Sequence, residues 1–231
     1  MRRSRRIAVV TFTILFLSIT AAYALNYSEG GGNGWFRDTD WLCYGTQGRT
    51  KCYSNKPTNW HVASLYVEGA DLSGGRPLHG MELGWSWSST WRKPKILWVR
   101  VRNGWSDYGY LGEIEPGSTH LYTIHYEGYG NGKHWYGVYI DGQHKWTFDH
   151  TLSDGYSSVG CERQYYDPEK KIGETNYGYF YDMEAYSATF GWRWVTWTQP
   201  HDWPEAENDP QYEFRAIGNF PTNKCEIYAL W

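Results

Sequence analysis

The residues of this chain best placed to do chemistry are five carboxylates carried on predicted strands: Glu82, Glu127, Glu162, Asp182 and Glu184. Cleaving a glycosidic bond takes two carboxyls, ~5 Å apart for retention and ~6.5–9.5 Å for inversion. Glu82 and Glu162 are the pair the sequence offers for that work. Glu82 alternates with Met81, Leu83 and Trp85, so it leaves the face those residues bury. Glu162 stands between Cys161 and Arg163, two residues before Gln164. Nothing in the spacing makes the two meet, and each alone fits a solvated or ion-paired strand position. The sequence therefore favours a binding protein over an enzyme. No Gly-x-Ser-x-Gly nucleophile elbow is present. The eight histidines form no compact ligand set: His120 and His125 have opposite parity, and His144 and His150 fall on opposite faces or in a turn. No cofactor is called for. A structural calcium would sit in the acidic loops Tyr165–Lys170 or Asp202–Asp209, held by carboxylate and backbone oxygens.

A second constellation suits recognition of a polyhydroxylated ligand. In the strand Lys95–Arg102, Leu97, Val99 and Val101 alternate with Trp98, Arg100 and Arg102. Arginine is seldom buried unless paired, which predicts the Trp98 side as the open one. In residues 119–127, Tyr122, Ile124 and Tyr126 point inward while Thr123, His125 and Glu127 point out. If the two strands share a sheet, one face offers Trp98, Arg100, His125 and Glu127, with Trp85 and Trp87 as secondary members. A sugar ring presents C–H groups to an aromatic face and hydroxyls to polar groups at its rim.

Short strands with period-2 alternation must position these groups. They are expected at 35–43, 60–68, 80–87, 95–102, 119–127, 133–140, 143–149, 156–166, 176–183, 185–197, 211–217 and 224–230. Turn signals separate them, among them Asn103-Gly104, Asn131-Gly132 and Asp154-Gly155. No amphipathic helix is evident beyond the N-terminal segment. The pattern predicts one all-β domain over 35–231, an antiparallel sandwich or jelly roll. Asp141-Gly142 predicts a type I′ hairpin with Ile140 opposite Gln143 and Tyr139 opposite His144. Carried inward without a break, that register sets Trp135 opposite Phe148 and collects Trp135, Tyr139, His144, Trp146 and Phe148 on one face.

The run from Thr119 to Gln143, with His120, Tyr122, Trp135, Tyr139, Asp141 and Gly142 in place, resembles the strand–turn–strand signature of concanavalin-A-like jelly rolls. That family includes laminin-G-like domains, legume-type lectins and laminarinase-like hydrolases, so the resemblance implies an antiparallel jelly roll. The E-x-D-x-x-E strand of the laminarinase-like enzymes is missing, and their catalytic residues do not carry over. Glu162 with Gln164 is similar in residue type to the Glu/Gln pair of secreted glutamic peptidases, whose surrounding motifs are absent.

Composition agrees with a binding surface outside the cell. The 231 residues include 15 Trp and 21 Tyr, yet the mean hydropathy is −0.69. Four arginines in Met1–Arg6, an apolar run Ile7–Ile19 and Ala22-Tyr23-Ala24 follow the order of a signal peptide, with cleavage after Ala24 and a flexible leader at 25–34. Losing those four arginines leaves 18 Lys and Arg against 25 Asp and Glu, a formal charge of −7. Such a chain lacks the basic stripe that nucleic acid requires, and no later stretch spans a membrane. A glycan is the expected partner, with a structural adhesin or filament subunit as a further class. Cys43, Cys52, Cys161 and Cys225 make an even set for an exported protein, and the expected disulfides are Cys43–Cys52 and Cys161–Cys225.

Overall fold

A computed structural model describes residues 27–35, 43–57, 60–68, 72–73, 76–77, 79–152, 155–164, 178–187, 191–194, 196–201, 213–217 and 225–230. Its strands are β1 Tyr27–Trp35, β2 Gly45–Lys51, β3 Trp60–Glu68, β4 Leu72–Ser73, β5 Arg76–Pro77, β6 Gly80–Trp87, β7 Lys95–Arg102, β8 Trp105–Glu113 and β9 Thr119–Gly130. They continue with β10 Lys133–Ile140, β11 Gln143–His150, β12 Tyr156–Gln164, β13 Gly178–Ser187, β14 Gly191–Trp194, β15 Thr196–His201, β16 Glu213–Ile217 and β17 Cys225–Leu230.

Turn chemistry sets the local order. Asn103-Gly104, Asn131-Gly132 and Asp141-Gly142 all have positive φ at both positions, with Asp141 at 52° and Gly142 at 76°. These are the dihedrals of type I′ turns, whose twist matches that of the strands they join. They close β7 on β8, β9 on β10, and β10 on β11. The register beside Asp141-Gly142 is the expected one, Ile140 with Gln143 and Tyr139 with His144. One step further in, a bulge intervenes, and Trp135 faces Asp149 while Tyr136 faces Phe148. The expected single aromatic face is thereby divided, because an extra residue moves every later side chain to the other side.

The pairs assemble into two antiparallel sheets. One runs β15-β1-β12-β3-β6-β7-β8; the other runs β11-β10-β9-β2-β13-β17-β16, with β14 on β13. The fold is an all-β antiparallel sandwich of the jelly-roll kind. Among the described residues no helix is long and apolar enough to cross a membrane. Alternate residues of the facing sheets fill the interior: Met81, Leu83, Trp85 and Trp87 from β6 meet Tyr122 and Ile124 of β9, Tyr136 of β10, and Phe180 and Met183 of β13.

The short strands β4 and β5 are additional to the expected set, and β13 runs through the expected division between 176–183 and 185–197, with β14 and β15 taking up the rest. Three other departures have physical reasons. β2 is rich in Gly and Thr, and a Cβ at Gly48 would overlap the Met183 sulfur from the neighbouring β13 and crowd Leu65 of the facing sheet, so glycine makes room for both side chains. β8 lies at a sheet edge and is exposed along most of its length, so it lacks the apolar alternation of a half-buried strand. Most of the expected leader 25–34 belongs to β1, Tyr27–Trp35, which lies inside the seven-stranded sheet between β12 and β15. Residues 36–42, the bulk of an expected strand, lie outside the described residues, as do the signal segment and both acidic calcium loops.

The Cys43–Cys52 bond is not formed. The stretch expected to be a short loop is β2, and it places the two cysteines beyond opposite ends of one strand. Nine residues of extended chain span ~30 Å, whereas bridged Cα atoms lie within ~7 Å. The side chains of Cys161 and Cys225 are outside the described residues.

Candidate functional site

The predicted quartet does not come together. Trp98 and Arg100 are on β7 in the seven-stranded sheet, while His125 and Glu127 are on β9 in the eight-stranded one. The parity of β7 is also the reverse of the prediction. Trp98 is only 7% exposed and belongs to the core, its indole edge-on to Trp146 at 4.4 Å and stacked with Phe148 at 6.3 Å. A Cβ at Gly109 would crowd that indole, so the ring fills the space over a glycine. Trp85 and Trp87 are likewise core residues and offer no binding face.

The reversal has an electrostatic cause. Arg100 turns inward because acids meet it there: Asp107 of β8, and Asp149 of β11 at 2.8 Å, where it also donates to the Asp149 carbonyl at 2.9 Å. Arg102 and Lys133 complete the set around Asp149. The hydrogen bond from Lys133, aided by the charges of the arginines, holds the Asp149 carboxyl down at about 2. Arg100 therefore ties the two sheets together and is committed to structure.

His125 and Glu127 face outward as expected, and the eight-stranded sheet surrounds them with groups from five neighbouring strands. One rung of side chains runs Glu184 (β13), Gln47 (β2), Thr123 (β9), Tyr139 (β10) and His144 (β11), in direct register throughout. Thr123 donates to the Gln47 carbonyl at 3.3 Å, and the Gln47 amide donates to the Glu184 carboxylate. The next rung on the same face runs Trp192 (β14), Tyr186 (β13), Gly45 (β2), His125 (β9), Gly137 (β10) and Thr147 (β11). Tyr186 follows Glu184 on the same face and lies edge-on to His125 at 4.6 Å. Trp192 lies 5.6 Å from His125 and 5.3 Å from Tyr186.

Glycines shape this surface. Gly45 and Gly137 stand opposite His125 on its two neighbouring strands, so no side chain from either rung position covers the imidazole there. A Cβ at Gly137 would overlap both the Glu127 carboxylate and the Tyr139 ring, so the carboxylate lies across that glycine. Tyr139 Oη donates to Glu127 Oε1 at 2.8 Å and Thr147 Oγ1 donates to Oε2 at 3.2 Å. The Thr147 oxygen in turn takes a hydrogen bond from His144 Nε2 at 2.8 Å. The bond to Glu127 raises the Tyr139 phenol above its ordinary range. Burial among the rings lowers His125, opposed by Glu127, so the imidazole is neutral near pH 7. The result is a track of rings, amide, hydroxyls and carboxylates across five strands, ~20 Å at ordinary strand spacing.

Sequence reasoning reached only part of this track. Gln47 escaped it because β2 did not read as a strand, although Gln47, Arg49 and Lys51 alternate with Thr46, Gly48 and Thr50. Tyr186 and Trp192 come together only because β14 folds back on β13.

The catalytic candidates occupy the other sheet. Glu82 lies on the face of β6 turned away from the core, as predicted, but is 8% exposed rather than solvated. Ser64 and Ser86 on that face are fully buried. Register sets Glu162 opposite Val62, which is opposite Ser86, so Glu162 is two strands and four residues from Glu82. That offset is ~16 Å between Cα atoms, so sharing a face does not make them a pair. Glu162 also stands directly opposite Glu29 of β1. Among the described residues no three His, Cys, Asp or Glu side chains gather as a metal site.

No protein-family model matches the chain, and no curated protein matches its sequence. Its fold is similar to that of a scytalido-glutamic peptidase solved with a peptide-based transition-state analogue, at a TM-score of 0.51 and 8% identity over 89% of this chain and 98% of that one. Looser likenesses are a β-glucanase from Bacillus licheniformis (TM-score 0.37, 15% identity, 74% and 68% covered) and a carbohydrate-binding module from Bacillus subtilis (TM-score 0.35, 9% identity, 61% and 80% covered). At such identities the likeness extends to the fold alone.

Proposed function

We propose that the protein is a secreted carbohydrate-binding β-sandwich whose ligand lies across the outer face of the eight-stranded sheet. The observation that carries this reading is the two-rung track. His125, Tyr186, Trp192 and Tyr139 supply ring faces, and Gln47, Glu127, Glu184 and Thr147 supply acceptors and donors within one layer. Rings stack on the C–H faces of sugars, while flat polar groups take their hydroxyls. The site is open and elongated, which suits a chain of sugars rather than a single one. A panel of immobilised glycans and insoluble polysaccharides tests it. Wild type should be retained, while Trp192→Ala and Tyr139→Ala should be lost at unchanged thermal stability. No retention on any polysaccharide would sink the reading.

A hydrolytic role is the second reading, favoured by one observation: Glu82 is a carboxylate nearly withdrawn from water on a face that also bears Glu162 and Glu29 by register. Carboxylates so placed are common at reacting centres. Release of reducing ends from polysaccharide, abolished in Glu82→Gln, would establish it.

A further inference from the structure

The partners of the two carboxylates on the track point to the charge class of the glycan. Glu127 receives its two hydrogen bonds from neutral donors, Tyr139 and Thr147, and Glu184 receives its own from the neutral amide of Gln47. His144 Nε2 stands 3.8 Å from Glu127 and is engaged with Thr147. Of the nearby described cations, Arg49 faces the Asp182 carboxylate at 3.5 Å, and Lys145, on the edge strand, keeps its single charge while donating to Gln143, against the two carboxylates of Glu127 and Glu184. Among the described residues, the centre of the track is therefore net acidic.

An ionised carboxylate accepts only, with about four lone-pair sites on its two oxygens. Each Glu127 oxygen takes one donor from the protein and keeps one site for the ligand. A sugar hydroxyl or ammonium can fill that site. A uronate or sulfate oxygen cannot, because it brings a second acceptor and a second negative charge. The neighbouring rings act in the same direction, since an aromatic face attracts a cation and repels an anion.

We infer that the track selects amino-sugar chains, binding protonated glucosamine units ahead of N-acetylated ones and disfavouring chains of uronate or sulfated sugars. The inference rests on the glycan-binding reading above and adds the chemical class of the sugar. A unit charge held near a surface carboxylate changes affinity by about tenfold at low salt, and the gain falls as salt screens it.

Calorimetric titration of the intact protein at pH 6 tests this with three named probes: glucosamine hexasaccharide, N-acetylglucosamine hexasaccharide and mannuronate hexasaccharide. In 20 mM salt the first should bind about tenfold tighter than the second, and the third at least about tenfold weaker than the second. The difference between the first two should shrink several-fold in 500 mM salt and in Glu127→Gln. Equal or tighter binding of the mannuronate chain overturns the inference and leaves glycan binding standing. So does a glucosamine preference indifferent to both salt and Glu127→Gln. Silence from all three probes, together with failure on the polysaccharide panel, overturns the underlying reading as well.

Discussion

Acid should loosen this sandwich through one histidine. His150, at the end of β11, is 1% exposed and joins the two sheets: its Nε2–H donates to the Val101 carbonyl on β7 at 2.8 Å, and its Nδ1 accepts the Leu152 N–H at 2.7 Å. Both nitrogens are thus used in the neutral form, and a second proton would break the Leu152 bond. Burial, outweighing the Val101 bond and reinforced by His79, Arg102 and Arg100, lowers its pKa from 6.5 to about 4. An unfolded chain takes up this proton near pH 6.5, and the folded one does not until about 4. The stability that neutral His150 contributes is therefore whole above pH 6.5 and is lost as pH falls towards 4. The full difference is about 3 kcal/mol, of which about 2 kcal/mol is gone by pH 5. Asp149 does not confuse the comparison, because its carboxyl is lowered from 3.8 to about 2, and the stability it contributes is lost as pH falls from 3.8 towards 2, well below pH 5. Urea unfolding followed by tryptophan fluorescence, at pH 7 and at pH 5, reads the effect. His150→Gln keeps a donor and an acceptor but cannot take the proton. It should be less stable than wild type at pH 7 and lose about 2 kcal/mol less between the two pH values. Equal pH losses in the two proteins would refute the assignment.

Three further outcomes follow from particular contacts. Trp98→Ala should destabilise the fold by about 3–5 kcal/mol in the same unfolding assay, because it empties the space between Gly109, Trp146 and Phe148; a loss under 1 kcal/mol would contradict its burial. Gly137→Ala should displace the Glu127 carboxylate and the Tyr139 ring, at a stability cost of about 1 kcal/mol because both lie on the outer face and can shift towards water, while weakening glycan binding several-fold. Cys52 is 1% exposed, and burial, against the Gly117 and Tyr53 backbone hydrogen bonds, pushes its thiol up to about 12. Iodoacetamide at pH 8 should label it only after denaturation, as mass spectrometry of the tryptic peptide would show; rapid labelling of the native protein would be incompatible with this burial.

Local rules were enough for much of this architecture. Alternation with period two and Asn-Gly or Asp-Gly turns act between residues a few positions apart, and β3, β6, β7 and β10 begin and end where those rules place them. The same rules put His125 and Glu127 on the outer side of β9, since Tyr122 and Ile124 have nowhere else to be buried. What lay beyond local rules was which sheet each strand joins and what stands opposite it. Trp98 and Arg100 were misplaced because the rule against burying arginine assumes no partner. That partner, Asp149, comes from the other sheet, 49 residues away. β2 was missed because its glycines serve a close approach of Met183 that no window of sequence contains. The track of Glu184, Gln47, Thr123, Tyr139 and His144 is likewise a tertiary object, one residue from each of five strands. Alternation along a strand is a property of covalent geometry and is written in the chain. The composition of a rung depends on strand order and on each bulge in the register, and only the folded sheet decides those.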